Sequence, residues 1–160
     1  MRDARAMEGS RAIDFELPEA SEYTIRLSDE LGKARAIILF YPNDFGIICT
    51  VMLKRFKEEY AMLRGRGFEV IAINTSSCYT HRTFKDHLAL PFPLLSDEKG
   101  TVSEVYGGII EDGLMKGKSN RAAFIIDRDG HILYAWIALD PNILLDIDAF
   151  VAAALALAER

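Results

Sequence analysis

The chain has 160 residues, half of them hydrophobic, with 24 acidic and 19 basic residues and a net charge of −5. That length and apolar content suit one domain, residues 1–160, with a full core, and the mixed charge excludes sequence-independent binding to nucleic acid. No apolar run approaches the roughly 18 residues that span a bilayer, and two cysteines, Cys49 and Cys78, are too few for a disulfide framework.

Residues 1–10 are polar and lack the apolar stretch of a secretory signal. They read as a flexible lead-in, and a cytoplasmic location is expected. Residues 13–17 alternate apolar and polar, Pro18 ends the alternation, and residues 22–27 alternate again, which predicts a hairpin. Residues 28–32 read as one capped helical turn closed by Gly32. Residues 34–41 are continuously apolar, as in a strand buried on both faces of a helix-covered sheet. A helix follows from about Ile48 to Arg64. Ile48, Met52, Phe56 and Tyr60 recur every four residues, Leu53 and Leu63 widen the stripe, and Gly65 and Gly67 end it.

Residues 68–74 form a second buried strand, and Ser76 or Ser77 caps a helix reaching about His87. His81 and His87 lie six apart on that helix, off any common face, and are expected at the surface; His131 stands alone in a later hairpin. Residues 92–95 read as a short edge strand, pinned by Pro91 and Pro93. A short helix runs from Ser96-Asp97 to about Tyr106, and Gly107-Gly108 with residues 113–120 form a loop, expected to be the most mobile part of the domain. Residues 121–127 and 131–137 pair antiparallel around the turn Asp127-Arg128-Asp129-Gly130, and a final helix covers about 143–159. The order is a β-hairpin, then βαβα, then ββα, an α/β sheet. No Cys/His spacing has the pattern of a zinc site, and neither a metal nor a cofactor is expected.

The chemistry concentrates at Tyr41-Pro42-Asn43-Asp44-Phe45-Gly46-Ile47-Ile48-Cys49-Thr50. Cys49 falls in the first turn of a helix just past a strand end, where α/β sheets form crevices. A helix N-terminus carries partial positive charge and unpaired N–H groups, which favour a thiolate. Against this stands the plain reading of a cysteine as a small buried hydrophobe.

Pro42, Asp44-Phe45 and Cys49-Thr50 resemble the peroxidatic loop of peroxiredoxins, P-x-x-x-[ST]-x-x-C, in the form used by the bacterioferritin-comigratory-protein and peroxiredoxin Q branch. Residues 13–18, His81-Arg82-x-Phe84, residues 90–97 and Arg121-x-x-Phe124-Ile125-Ile126-Asp127 resemble other segments of that family, in its order and spacing. The resemblance implies a thioredoxin-like fold with a peroxiredoxin-type N-terminal β-hairpin. It makes Cys49 the peroxidatic nucleophile, Arg121 the cation beside thiolate and peroxide, and Pro42 the shield of the thiolate. A peroxide is the implied substrate, a thiol such as thioredoxin or a small thiol the implied reductant, and a monomer or homodimer the implied assembly.

Gly46 departs from that pattern, for the family carries Thr or Ser there, with a hydroxyl that holds both peroxide and sulfur. Ile47 stands where members of the branch often have Pro. Cys78 keeps two readings, an inert residue and a resolving thiol. The resemblance therefore supports a thiol-dependent peroxidase reducing hydrogen peroxide or organic hydroperoxides through a cysteine sulfenic acid. The alternative is a protein of this fold with weak or lost peroxidase activity, serving as a redox-responsive binding or sensor module. Disulfide exchange of the C-x-x-C kind is disfavoured, since Gly46 occupies the place of its first cysteine.

Overall fold

A computed structural model describes residues 3–21 and 23–159. In chain order the elements are α1 (Ala4–Met7), β1 (Glu16–Pro18), β2 (Thr24–Arg26), α2 (Leu27–Leu31), β3 (Arg35–Phe40), α3 (Ile47–Gly65), β4 (Phe68–Asn74), α4 (Cys78–Leu88), β5 (Leu94–Ser96), α5 (Thr101–Tyr106), β6 (Ala122–Ile126), β7 (Ile132–Ile137) and α6 (Ile147–Ala158). β1 and β2 form a separate antiparallel hairpin. The other strands form one sheet in the order β5-β4-β3-β6-β7. β3 runs parallel to β4, and β4 to β5, while β6 is antiparallel to both β3 and β7.

Successive residues of a strand point to opposite faces, and the apolar central strands use this to serve two cores. Ile37, Leu39, Val70, Ala72, Ala123 and Ile125 face a core closed by Leu53 and Phe56 of α3, Phe84 of α4 and Phe150 of α6. Ala36, Ile38, Phe40, Ile71, Ile73, Phe124 and Ile126 face the other, closed by the hairpin, Leu27 and Leu31 of α2, and Tyr106. Each fully buried Leu, Ile or Phe contributes about 1.5–3 kcal/mol relative to exposure. The apolar runs at residues 36–40 of β3, 70–73 of β4 and 122–126 of β6 follow from this double burial.

Most element boundaries fall within a few residues of expectation, and the differences have local causes. The buried stripe of α3 is Cys49, Leu53, Phe56 and Leu63. Leu53, Phe56 and Leu63 belong to the expected stripe and Met52 and Tyr60 pack at its margin, but at the first turn Cys49 points inward in place of Ile48, which stays 47% exposed. α6 begins four residues late because the Asp146 side chain accepts from the Ala149 N–H at 3.0 Å and caps the helix there. Of the expected flexible lead-in, residues 3–10 are tied down. They carry α1, Gly9 donates to the Ile132 carbonyl at 2.7 Å, and Ser10 accepts from the Ile132 N–H at 2.9 Å. Met1, Arg2 and Glu22, the last in an expected strand, lie outside the described residues. No described helix is long and apolar enough to cross a membrane.

Candidate active site

β3 ends at Phe40, and Tyr41 and Pro42, both buried, carry the chain over the C-terminal edge of the sheet. Gly46 is the N-cap of α3, with φ −65° and ψ 140° and no side-chain cap. The first bond of the helix runs from the Thr50 N–H to the Gly46 carbonyl at 2.8 Å. The N–H groups of residues 47–49 therefore precede the ladder and are free to meet an anion. Cys49 lies among them and is 2% exposed.

β6 brings the cation. Phe40 pairs with Ala122 across β3 and β6, which puts Arg121 beside the end of β3, on the face that α3 covers. Arg121 is 7% exposed. Its Nε donates to the Pro141 carbonyl at 2.7 Å, and its Nη1 donates to Cys49 Sγ at 3.5 Å. Two hydrogen bonds in different directions fix the plane of the guanidinium, a use of its fork that an ammonium cannot reproduce. Pro141, whose carbonyl aims the cation, was not singled out by sequence, because a backbone acceptor leaves no trace in residue type.

The loop between Pro42 and Gly46 is held from below. The Asp44 carboxylate is 1% exposed and His81 is fully buried, so the expectation of a surface His81 is overturned. Asp44 Oδ1 accepts from the Tyr41 hydroxyl at 2.6 Å and from Asn74 Nδ2 at 3.1 Å. Asp44 Oδ2 lies 2.6 Å from His81 Nδ1, and His81 Nε2 lies 3.0 Å from the Leu95 carbonyl. Burial, then the negative charge of Asp44, holds the Tyr41 phenol well above its ordinary pKa, so it stays a neutral donor. Phe45 takes φ 63°, left-handed for a residue with a side chain, at a cost of order 1–3 kcal/mol. Its ring packs on Phe84 at 4.9 Å and near His87 at 6.0 Å, which offsets part of that cost. His87 is exposed, as expected.

Cys78 opens α4, half-buried, behind the N-cap Ser77. Both cysteines are free thiols. A cavity of about 190 Å³ adjoins the site, lined by Ile47, Ile48, Val51, Met52, Trp136, Leu144, Leu145 and Ile147, with Arg121 at its wall. Asp127, Asp129 and His131 converge at the β6–β7 turn, one ligand atom of each within 4.8 Å of the others. That turn is at the opposite end of β6 from Arg121, and Asp129 is already satisfied by His131 at 2.8 Å.

A family model described as the AhpC/TSA family matches residues 9–135. The chain belongs to that family. It is a peroxiredoxin with a thioredoxin-like fold, related to the bacterioferritin-comigratory-protein and peroxiredoxin Q proteins. It is 34% identical over 131 residues to a putative peroxiredoxin bcp of Coxiella burnetii, covering 80% of this chain and 86% of that protein. It is 33% identical over 134 residues to the selenocysteine-containing peroxiredoxin PrxU of Peptoclostridium acidaminophilum, covering 78% of this chain and 64% of the relative. The solved structure of peroxidoxin BcpB from Mycobacterium tuberculosis superposes with a TM-score of 0.82 at 27% identity, over 96% of both chains. Plant chloroplast peroxiredoxins match as well, and the chain spans 53–59% of their length.

Proposed function

We propose that this peroxiredoxin is a thiol-dependent peroxidase acting through Cys49. The observation that carries the reading is the Arg121 Nη1–Cys49 Sγ bond of 3.5 Å at a buried helix N-terminus. Guanidinium and helix end both favour negative charge on sulfur. The Cys49 thiolate attacks one oxygen of a hydroperoxide and the O–O bond breaks. Sulfur supplies the electron pair and becomes the sulfenic acid, and the departing oxygen takes a proton and leaves as water or alcohol. Arg121 and the free N–H groups of α3 meet the charge that develops on the peroxide oxygens. Pro42, buried at the loop's start, shields the thiolate from water.

Reduction then needs two thiol equivalents. The first condenses with the sulfenic acid, releasing water and forming a mixed disulfide; the second displaces Cys49 as thiol and leaves as a disulfide. With Cys49 only 2% exposed, a small thiol reaches the sulfur more readily than a protein such as thioredoxin does in this conformation. Cys78 is assigned no step in this cycle. The cycle runs in one thioredoxin-like domain, as monomer or homodimer, and is assigned to the cytoplasm.

The cavity refines the substrate. Its lining is almost wholly apolar and it meets the reacting centre at Arg121. It suits the hydrocarbon part of an organic hydroperoxide, with the O–O group at Cys49. Stopped-flow oxidation of the reduced protein, with mass detection of Cys49 sulfenate, tests the assignment. Arg121→Ala is expected to slow that step by ~10²-fold or more, as losing a preorganised donor does elsewhere. Oxidation of the wild type at the rate of free cysteine would favour the redox-responsive binding module instead.

A further inference from the structure

We propose that His81 is a positioning residue for the oxidation of Cys49, acting through Asp44 on the loop that starts α3. The proposal rests on the assignment of Cys49 as the reacting thiol.

His81 is not among the residues that line the cavity beside the sulfur. Its two ring nitrogens instead bridge two elements. Nε2 faces the carbonyl of Leu95 at 3.0 Å, and a carbonyl only accepts, so Nε2 carries a proton. Nδ1 and Asp44 Oδ2, 2.6 Å apart, share a second proton. The ring thus ties the Asp44 carboxylate to β5, while Asn74 ties the same carboxylate to the end of β4 and Tyr41 ties it to the end of β3.

Asp44 lies two residues before the N-cap of α3, and Phe45 between them is held at a left-handed φ of 63°. A strained residue persists only when its surroundings over-determine it. The Asp44 bonds on one side and the Phe84 ring on the other supply that constraint. Cutting the His81–Asp44 link removes one of the constraints. Phe45 then relaxes toward negative φ, and the rotation is passed through Gly46, which has no side chain to resist it, to the N–H groups of residues 47–49. Those groups must meet the peroxide in one geometry, and small displacements of reacting groups are costly in rate.

The two amide substitutions of His81 separate the role from plain stability. In His81→Asn the amide nitrogen replaces Nδ1 and keeps the donation to Asp44, losing Leu95. In His81→Gln the nitrogen replaces Nε2 and keeps Leu95, losing Asp44. Each variant loses one ring bond, and the bond to the buried Asp44 carboxylate is the costlier to lose, so rates are compared only on protein shown to be folded by circular dichroism and urea unfolding. The rate of Cys49 sulfenate formation with hydrogen peroxide should divide them. His81→Gln is expected to be at least ~tenfold slower than wild type, and His81→Asn within ~threefold of it. Equal rates in the two variants would overturn the positioning role.

If neither variant folds, Asp44→Asn and Asp44→Leu take their place. Asn still accepts from Tyr41 and Asn74 and can donate to a neutral ring, so its rate should stay near wild type. Leu cannot, and a Leu variant as fast as the Asn variant would sink the proposal. A wild type that forms no Cys49 sulfenate would remove the peroxidase reading and this one together. A reactive wild type with indifferent variants at residues 44 and 81 would remove this one alone.

Discussion

Gly46 and Cys49 face one another across the first turn of α3: a Cβ built on Gly46 would stand 3.7 Å from Cys49 Sγ. Only two atoms would be nearer, the Asn43 carbonyl oxygen at 3.5 Å and its Cβ at 3.6 Å, and all three distances are ordinary contact. The backbone there, φ −65° and ψ 140°, is open to any residue. Nothing in space or dihedral angle demands glycine, and a threonine hydroxyl would arrive beside the sulfur. Gly46→Thr is therefore expected to speed Cys49 sulfenate formation by at least ~tenfold, if half of the ~2.7–4 kcal/mol of a preorganised donor is gained. Stopped-flow rates of wild type and variant decide it, with circular dichroism as the check on folding. A folded variant no faster than wild type would show that the loop already positions peroxide by other donors.

Cys78 stands at the start of α4, behind Ser77, which caps the helix by accepting from the Thr80 N–H at 3.1 Å. A disulfide with Cys49 would require the two Cα atoms within roughly 7 Å, and Cys49 is buried against the sheet. Cys78→Ser is expected to leave peroxide turnover with dithiothreitol unchanged. A strong loss of turnover, with a Cys49–Cys78 disulfide found by mass mapping of the oxidised wild type, would make Cys78 the resolving thiol.

The order of elements was legible because the chain writes each in its own period. β3 is apolar over residues 36–40 and β4 over residues 70–73, and α3 repeats every three to four residues. The pair Cys49 and Arg121 was legible through the family motif, not through spacing, since 72 residues separate them. What the sequence hid was set by tertiary partners. His81 looked solvent-exposed because six residues from His87 is off-face, but its partner is Asp44, 37 residues earlier. Both residues lie within motifs quoted for the family, so the signal was present without its meaning. The inward turn of Cys49 at the start of α3 was hidden too, because Ile48 and Cys49 are both apolar enough to claim the inner face.

Glu19 gives the fold an acid-sensitive point. Its side chain is fully buried, and Oε1 lies 2.7 Å from Lys85 Nζ. Burial works to raise its pKa, but the Lys85 ion pair and the Ser21 N–H outweigh it, and the carboxyl falls below its ordinary 4.5. A folded-state pKa below the unfolded one stabilises the native state fully above the unfolded value, and the gain is lost as pH falls through the folded one. Urea midpoints are expected to fall below about pH 4.5, and to fall less steeply in Glu19→Gln. Parallel pH profiles for the two proteins would place the acid sensitivity elsewhere.

The apolar cavity predicts a selective effect on substrates. Leu144 lines it from the segment before α6 and is 50% exposed, so its replacement should leave the core intact. Leu144→Gln exchanges an apolar wall for an amide that a hydrocarbon chain cannot satisfy. Hydrogen peroxide has no chain to place there, and in the proposed mechanism it meets only Cys49, Arg121 and the helix N–H groups. For a straight-chain alkyl hydroperoxide, kcat/KM is expected to fall by ~tenfold or more, the scale of a lost methylene contact in an apolar pocket. For hydrogen peroxide it should stay within ~twofold, because the groups that stabilise its transition state are untouched. Equal losses for both peroxides would mean that residue 144 acts on the Arg121–Cys49 geometry through Pro141. Equal retention would mean that the hydrocarbon chain lies outside this cavity.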